Sequence, residues 1–124
     1  MRKRLTPSER QIIYNKYNGH CAYCGQEITR KNFHVDHIKC LRRGGTDAID
    51  NMLPACGSCN RYKSTYDLET FRRMLSKIPE RLRRDSSTYR IALRFGMVEE
   101  RREPVRFYFE EMEGSSVRKE KKHE

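Results

Sequence analysis

Two CxxC pairs constrain this chain more than any other feature: Cys21-Ala22-Tyr23-Cys24 and Cys56-Gly57-Ser58-Cys59. In a chain without a secretory signal, two such pairs read as one tetrahedral thiolate zinc site, each knuckle giving two sulfurs to a single ion. Disulfides are the competing use, and they belong to oxidising compartments. The opening MRKRLTPSER is basic but lacks the apolar stretch of a signal peptide. A thioredoxin-like redox motif needs one such pair in a βαβ setting, not two. The expected cofactor is therefore a structural Zn²⁺ on Cys21, Cys24, Cys56 and Cys59. Cys40 is left over and reads as a small, partly buried hydrophobe.

Composition explains why a metal staple is needed. Of the 124 residues, 35% are hydrophobic and 35% charged, there is no Trp, and mean hydropathy is −1.00. Such a chain is one small domain, with at most an appendage, and builds little core of its own. No apolar run approaches the ~18 residues of a membrane span, so a cytoplasmic location with no membrane partner is expected. Lys and Arg number 27 against 17 Asp and Glu, a net charge of +10. A small domain this basic is drawn to polyanions, nucleic acid first among them. The excess is concentrated early: residues 1–66 hold 12 basic and 5 acidic side chains, and residues 67–124 hold 15 and 12. The first half is expected to face the polyanion.

The order of elements follows from local signals. Thr6-Pro7-Ser8-Glu9 is a capping box with Pro at the first helical position; Ile12, Ile13 and Tyr17 give an apolar stripe, and Asn18-Gly19 ends the helix. Phe33 to Ile38 alternates as a strand, and residues 39–50 with Gly44-Gly45 form a loop. Asn51 to Ala55 is a second short strand that Pro54 confines to an edge or an end. A helix from about Gly57 to Lys63 starts inside the second knuckle. Residues 1–66 are expected as the core, residues 67–113 as a mainly helical extension with a late strand at Val105–Phe109, and residues 114–124 as a frayed, charged tail. In the extension, Asp67, Pro79 and Ser86 or Ser87 open successive helices, the last ended by Gly96.

Between the knuckles stand Asp36-His37, Asn51, Asn60 and Lys63, each weak as a signal by itself. Asp36 offers a hard oxygen ligand, and His37 an imidazole, a side chain that can take a proton from water. Together with the flanking CxxC pairs, the D-H-I strand, the Gly-Gly loop and the N-x-x-x-x-C-x-x-C-N-x-x-K stretch, this constellation resembles the HNH endonuclease family over about residues 5–75. As a small protein with a helical extension, the chain looks like the phage and prophage HNH proteins.

The resemblance implies an α+β fold: a ββα-metal unit (His-Me finger) stapled by a four-cysteine zinc site and flanked by an N-terminal helix and a C-terminal helical extension. It implies a metal-dependent DNA endonuclease that nicks or cuts both strands by a one-metal mechanism. His37 would be the general base, Asp36 and Asn60 the ligands of the catalytic ion, and Asn51 a support that bonds across the loop and orients the base. Double-stranded DNA is the implied partner, held through phosphates by Arg30, Lys31, Arg42, Arg43, Arg61 and Lys63, with little sequence specificity. Phage packaging proteins are a further partner that the family implies. His34 shares a strand face with Asp36 and reads either as an auxiliary ligand or as a solvated histidine.

Two departures bear on the site. Many members have a third histidine where this chain has Asn60, which shifts the expected ion toward Mg²⁺ or Mn²⁺. Many also have a Pro soon after D-H-I, where Lys39-Cys40 stands here. One geometric conflict is evident, because neighbours in a flat strand point to opposite faces, yet Asp36 and His37 must serve one site. The competing functions are a catalytically idle, zinc-stapled DNA-binding module and an RNase.

Overall fold

The computed structural model describes residues 4–113. Helix α1 (Pro7–Asn15) opens as its sequence demands, with the Thr6 hydroxyl accepting from the Glu9 amide and the Glu9 carboxylate accepting from the Thr6 amide. Of its expected stripe, Ile13 is fully buried but Ile12 is exposed. Strands β1 (His34–His37) and β2 (Met52–Ala55) pair antiparallel, with His34 opposite Ala55 and His37 opposite Met52. Pro54 is tolerated because a two-stranded sheet is all edge, and its carbonyl accepts from the Ala22 amide at 2.9 Å. Helix α2 (Gly57–Lys63) follows directly, completing strand, loop, strand, helix. The loop between the strands carries two 3₁₀ turns, Leu41–Arg43 and Ile49–Asn51.

The small core under the sheet is Ile13, Phe33, Val35 and Met52, flanked by Leu5, Tyr14, Ile28 and Ile49. Arg10 adds to this group by laying its guanidinium over the Phe33 ring at 4.1 Å and donating to the Phe33 carbonyl at 3.0 Å.

The chain divides into two compact units. Among the described residues, one comprises those up to Leu68 together with 106–113; the other is Glu69–Val105. The extension expected over 67–113 is therefore interrupted, since its last residues return to the core unit. The expected late strand is also absent: residues 108–113 are helical. The alternation of Phe107 and Phe109 marks burial of two rings on the first knuckle, not a pleat. The Tyr108 and Phe109 amides donate to the Tyr23 and Ala22 carbonyls at 3.0 and 2.8 Å, and the Glu110 carboxylate caps the Phe107 amide. Both rings pack edge-on to Tyr23, with centroids 5.3 and 6.2 Å away.

The second unit holds most of α3 (Leu68–Ser76), then α4 (Ile78–Asp85) and α5 (Ser87–Arg94). Pro79 sits in the first turn of α4, the Ser86 hydroxyl caps α5, and Gly96 follows α5 with φ +68°. Glu100 ties this unit together by pairing with Arg83 and accepting from the Tyr89 hydroxyl. The expected tail at 114–124 lies outside the described residues. No helix among the described residues is long and apolar enough to cross a membrane.

Candidate active site and cysteine cluster

The four knuckle sulfurs lie within 4.8 Å of one another. Cys24 and Cys56 Sγ are 3.9 Å apart, close to the ~3.8 Å that a zinc tetrahedron with ~2.3 Å bonds imposes. Cys56 is also the N-cap of α2, its sulfur accepting from the Cys59 amide. The second knuckle is thus built into a helix start, and the first into a turn where the Gly25 amide donates to the Cys21 carbonyl. Hydrogen bonding from Cys59 brings Cys21 down to about 4, while the same bond pushes Cys59 up. Thiols this crowded share protons unless a cation holds them, so the donor set fits Zn²⁺.

Asp36, His37 and Asn60 line one open cavity of about 1000 Å³, together with His34, Cys40, Arg10, Arg42 and Arg61. The sheet and α2 make this convergence: Asp36 and His37 end β1, and Asn60 sits in α2, which the knuckle starts beside the sheet. Within this lining, Asp36 and His37 take partners from different elements. Asp36 Oδ2 accepts from the Tyr23 hydroxyl and lies 2.9 Å from Lys63 Nζ, whereas His37 Nε2 lies 2.7 Å from Asp47 Oδ1.

Lys63 corrects an expectation. The sequence pattern makes it a phosphate contact, but its side chain is 0% exposed, paired with Asp36 and donating to the His37 carbonyl at 2.9 Å. Its position three residues after Asn60 aims its stem inward under β1, where its charge is spent on Asp36. Burial and the Asp36 charge also push the Tyr23 phenol far above its ordinary range.

Asn51 spans the loop as a clamp. Its amide nitrogen donates to the Lys39 and Thr46 carbonyls at 2.9 and 2.7 Å, and its oxygen accepts from the Lys39 amide. Arg42 and Arg61 are exposed on the cavity wall. Arg30, Lys31 and Arg43 are exposed but are not part of that lining, and Arg30 lies over the Tyr14 ring at 5.6 Å. His34 is exposed at the cavity, its ring near Gly57. Three participants escaped sequence reasoning. Arg10 lies far away in sequence on α1, Tyr23 sits inside a CxxC pair, and Asp47 lies in the loop between the strands, so none carries a local signal of its role.

Residues 21–65 match the HNH endonuclease family. Among curated relatives, the CRISPR-associated endonuclease Cas9 of Corynebacterium diphtheriae is 39% identical over 49 residues, covering 39% of this chain and 4% of that protein. The SPbeta prophage-derived YoqL of Bacillus subtilis (strain 168), which bears an HNH endonuclease name, is 30% identical over 76 residues, covering 52% of this chain and 32% of YoqL. This chain thus spans a minor part of either relative's length. In structure, the Type II-C Cas9 enzyme from Actinomyces naeslundii superposes with a TM-score of 0.52 at 19% identity, covering 78% of this chain and 11% of that one. The shared fold is the small α+β arrangement described above, with its four cysteines gathered for zinc.

Proposed function

We propose that the chain is a metal-dependent endonuclease that hydrolyses DNA phosphodiester bonds, by nicking or double-strand cleavage, with weak sequence preference. One observation carries the reading: Asp36, His37 and Asn60 open onto the same cavity, with arginines on its wall. Asp36 and Asn60 would hold the divalent ion. Tyr23 and Lys63 both meet Asp36 at Oδ2, which leaves Oδ1 for a cation, and Asn60 offers an amide oxygen. This hard-oxygen pair fits Mg²⁺ or Mn²⁺ better than softer ions. Such an ion, when bound, supplies charge stabilisation at the phosphate under attack.

The chain's own groups do the rest. His37 takes the proton from the attacking water, a role suited to an imidazole near neutral pH. Arg42 and Arg61 draw the phosphate backbone into the cavity, giving affinity that falls with salt. Lys63 and Tyr23 fix the Asp36 carboxylate from behind. The zinc knuckles hold α2 against β1 and take no part in bond breaking.

Plasmid cleavage by the zinc-loaded chain tests the reading. Nicking in Mg²⁺ or Mn²⁺ that disappears with chelator and falls at least about 100-fold in His37→Ala is expected. Equal cleavage by wild type and His37→Ala would sink the mechanism. Plasmid left intact in every divalent metal, with salt-dependent binding retained, would make the chain an idle DNA-binding module. Structured RNA cut in preference to plasmid would make it an RNase.

A further inference from the structure

We propose that Asp47 is the positioning residue of the general base: it fixes His37 with Nε2 protonated and Nδ1 presented to the attacking water. The inference rests on His37 acting as the base. His37 and Asp47 are mostly buried, their side chains 10% and 20% exposed, and Asp47 Oδ1 lies 2.7 Å from His37 Nε2. An ionised carboxylate only accepts, so the hydrogen of a neutral imidazole must sit on Nε2. The lone pair then falls on Nδ1. A carboxylate in this place also stabilises the imidazolium that forms when water gives up its proton, without taking that proton itself.

The loop geometry shows why Asp47 is held there. Asn51 donates to the Thr46 carbonyl at 2.7 Å, immediately before Asp47, and grips Lys39 at both its amide and its carbonyl. The Gly45 amide closes the same loop on the Cys40 carbonyl at 3.0 Å. At the other side, Lys63 holds the His37 carbonyl. Ring and backbone of His37 are therefore anchored independently, and Asn51 reaches the base through Asp47.

Two measurements on the zinc-loaded full chain test this. Nitrogen-15 NMR of labelled histidines, at mildly alkaline pH, should show His37 as a single Nε2–H tautomer with a slowly exchanging downfield imidazole proton. His37→Ala assigns the signal, and Asp47→Ala should abolish it. In plasmid nicking, Asp47→Ala should lower kcat between about 10- and 100-fold with KM nearly unchanged, zinc content and circular dichroism being those of wild type. If Asp47→Ala does not fold, Asp47→Asn carries the test: its amide keeps the shape and loses the charge, so the imidazole proton should move upfield and kcat should fall. A wild-type Nδ1–H tautomer, a downfield proton that survives Asp47→Ala, or an unchanged kcat in a folded variant would each overturn the proposal. If the wild type cuts nothing, the nuclease reading fails, and the NMR result alone still decides whether Asp47 holds His37.

Discussion

Lys63→Met removes a buried cation while keeping most of its volume, and its consequences can be worked from the structure. Lys63 Nζ is 2.9 Å from Asp36 Oδ2, with side-chain exposures of 0% and 7%. At an effective dielectric constant of ~20, two charges at this distance attract by about 6 kcal/mol. Desolvation of both groups offsets much of that, so the pair itself contributes little net stability. Removing one partner is different, because Asp36 is left as a buried charge that keeps the Tyr23 hydroxyl but no compensating cation among the described residues, and the His37 carbonyl loses its Lys63 bond. The expected loss is about 3–5 kcal/mol, a large part of the ~5–15 kcal/mol that keeps a domain folded. Adding Asp36→Asn to Lys63→Met should recover at least about 1 kcal/mol, because the uncompensated charge is then gone. Urea denaturation followed by far-ultraviolet circular dichroism at constant zinc reads both effects. A Lys63→Met stability within about 0.5 kcal/mol of wild type would refute the argument, since a broken buried pair must cost more than that. So would a double variant less stable than the single one.

Three other outcomes follow from the same geometry. Gly45→Ala should destabilise the chain by more than about 2 kcal/mol and impair nicking, because a Cβ there would lie 1.8 Å from the Lys39 carbonyl oxygen in the loop that carries Asp47; a variant with wild-type melting and activity would contradict this. Stripping zinc with a strong chelator should unfold the region between the knuckles, seen as loss of helical circular dichroism and its return on adding Zn²⁺; an unchanged spectrum in zinc-free protein would show that the four sulfurs are not a structural site. Arg61→Ala should weaken duplex binding about equally across sequences and reduce the slope of log affinity against log salt by about 1; Lys63→Met, if folded, should leave that slope unchanged, since Lys63 is buried.

Much of the architecture was legible because it depends on neighbours in sequence. The capping box of α1, the glycine after α5 and the start of α2 inside a CxxC pair are each decided within a few residues, and each stands where expected. The segment around Val105–Phe109 misled because alternating apolar residues have two solutions. A strand needs a partner to pair with, whereas here the Tyr108 and Phe109 amides found the carbonyls of the first knuckle, far back in the chain. Periodicity cannot report a partner so distant in sequence.

The candidate site divides in the same way. The sequence by itself determined the kinds of group available: four thiols in two pairs, an adjacent carboxylate and imidazole, two asparagines and a surplus of positive charge. It also determined that a core this small would need a staple. Only the tertiary structure decided how those groups were employed. It turned Lys63 from a phosphate contact into the buried counterion of Asp36, drew Tyr23 onto the same carboxylate, and brought Asp47 to His37. The physical reason is that a residue's role depends on burial and on hydrogen-bond partners, and both are set by chain segments that meet only in the fold.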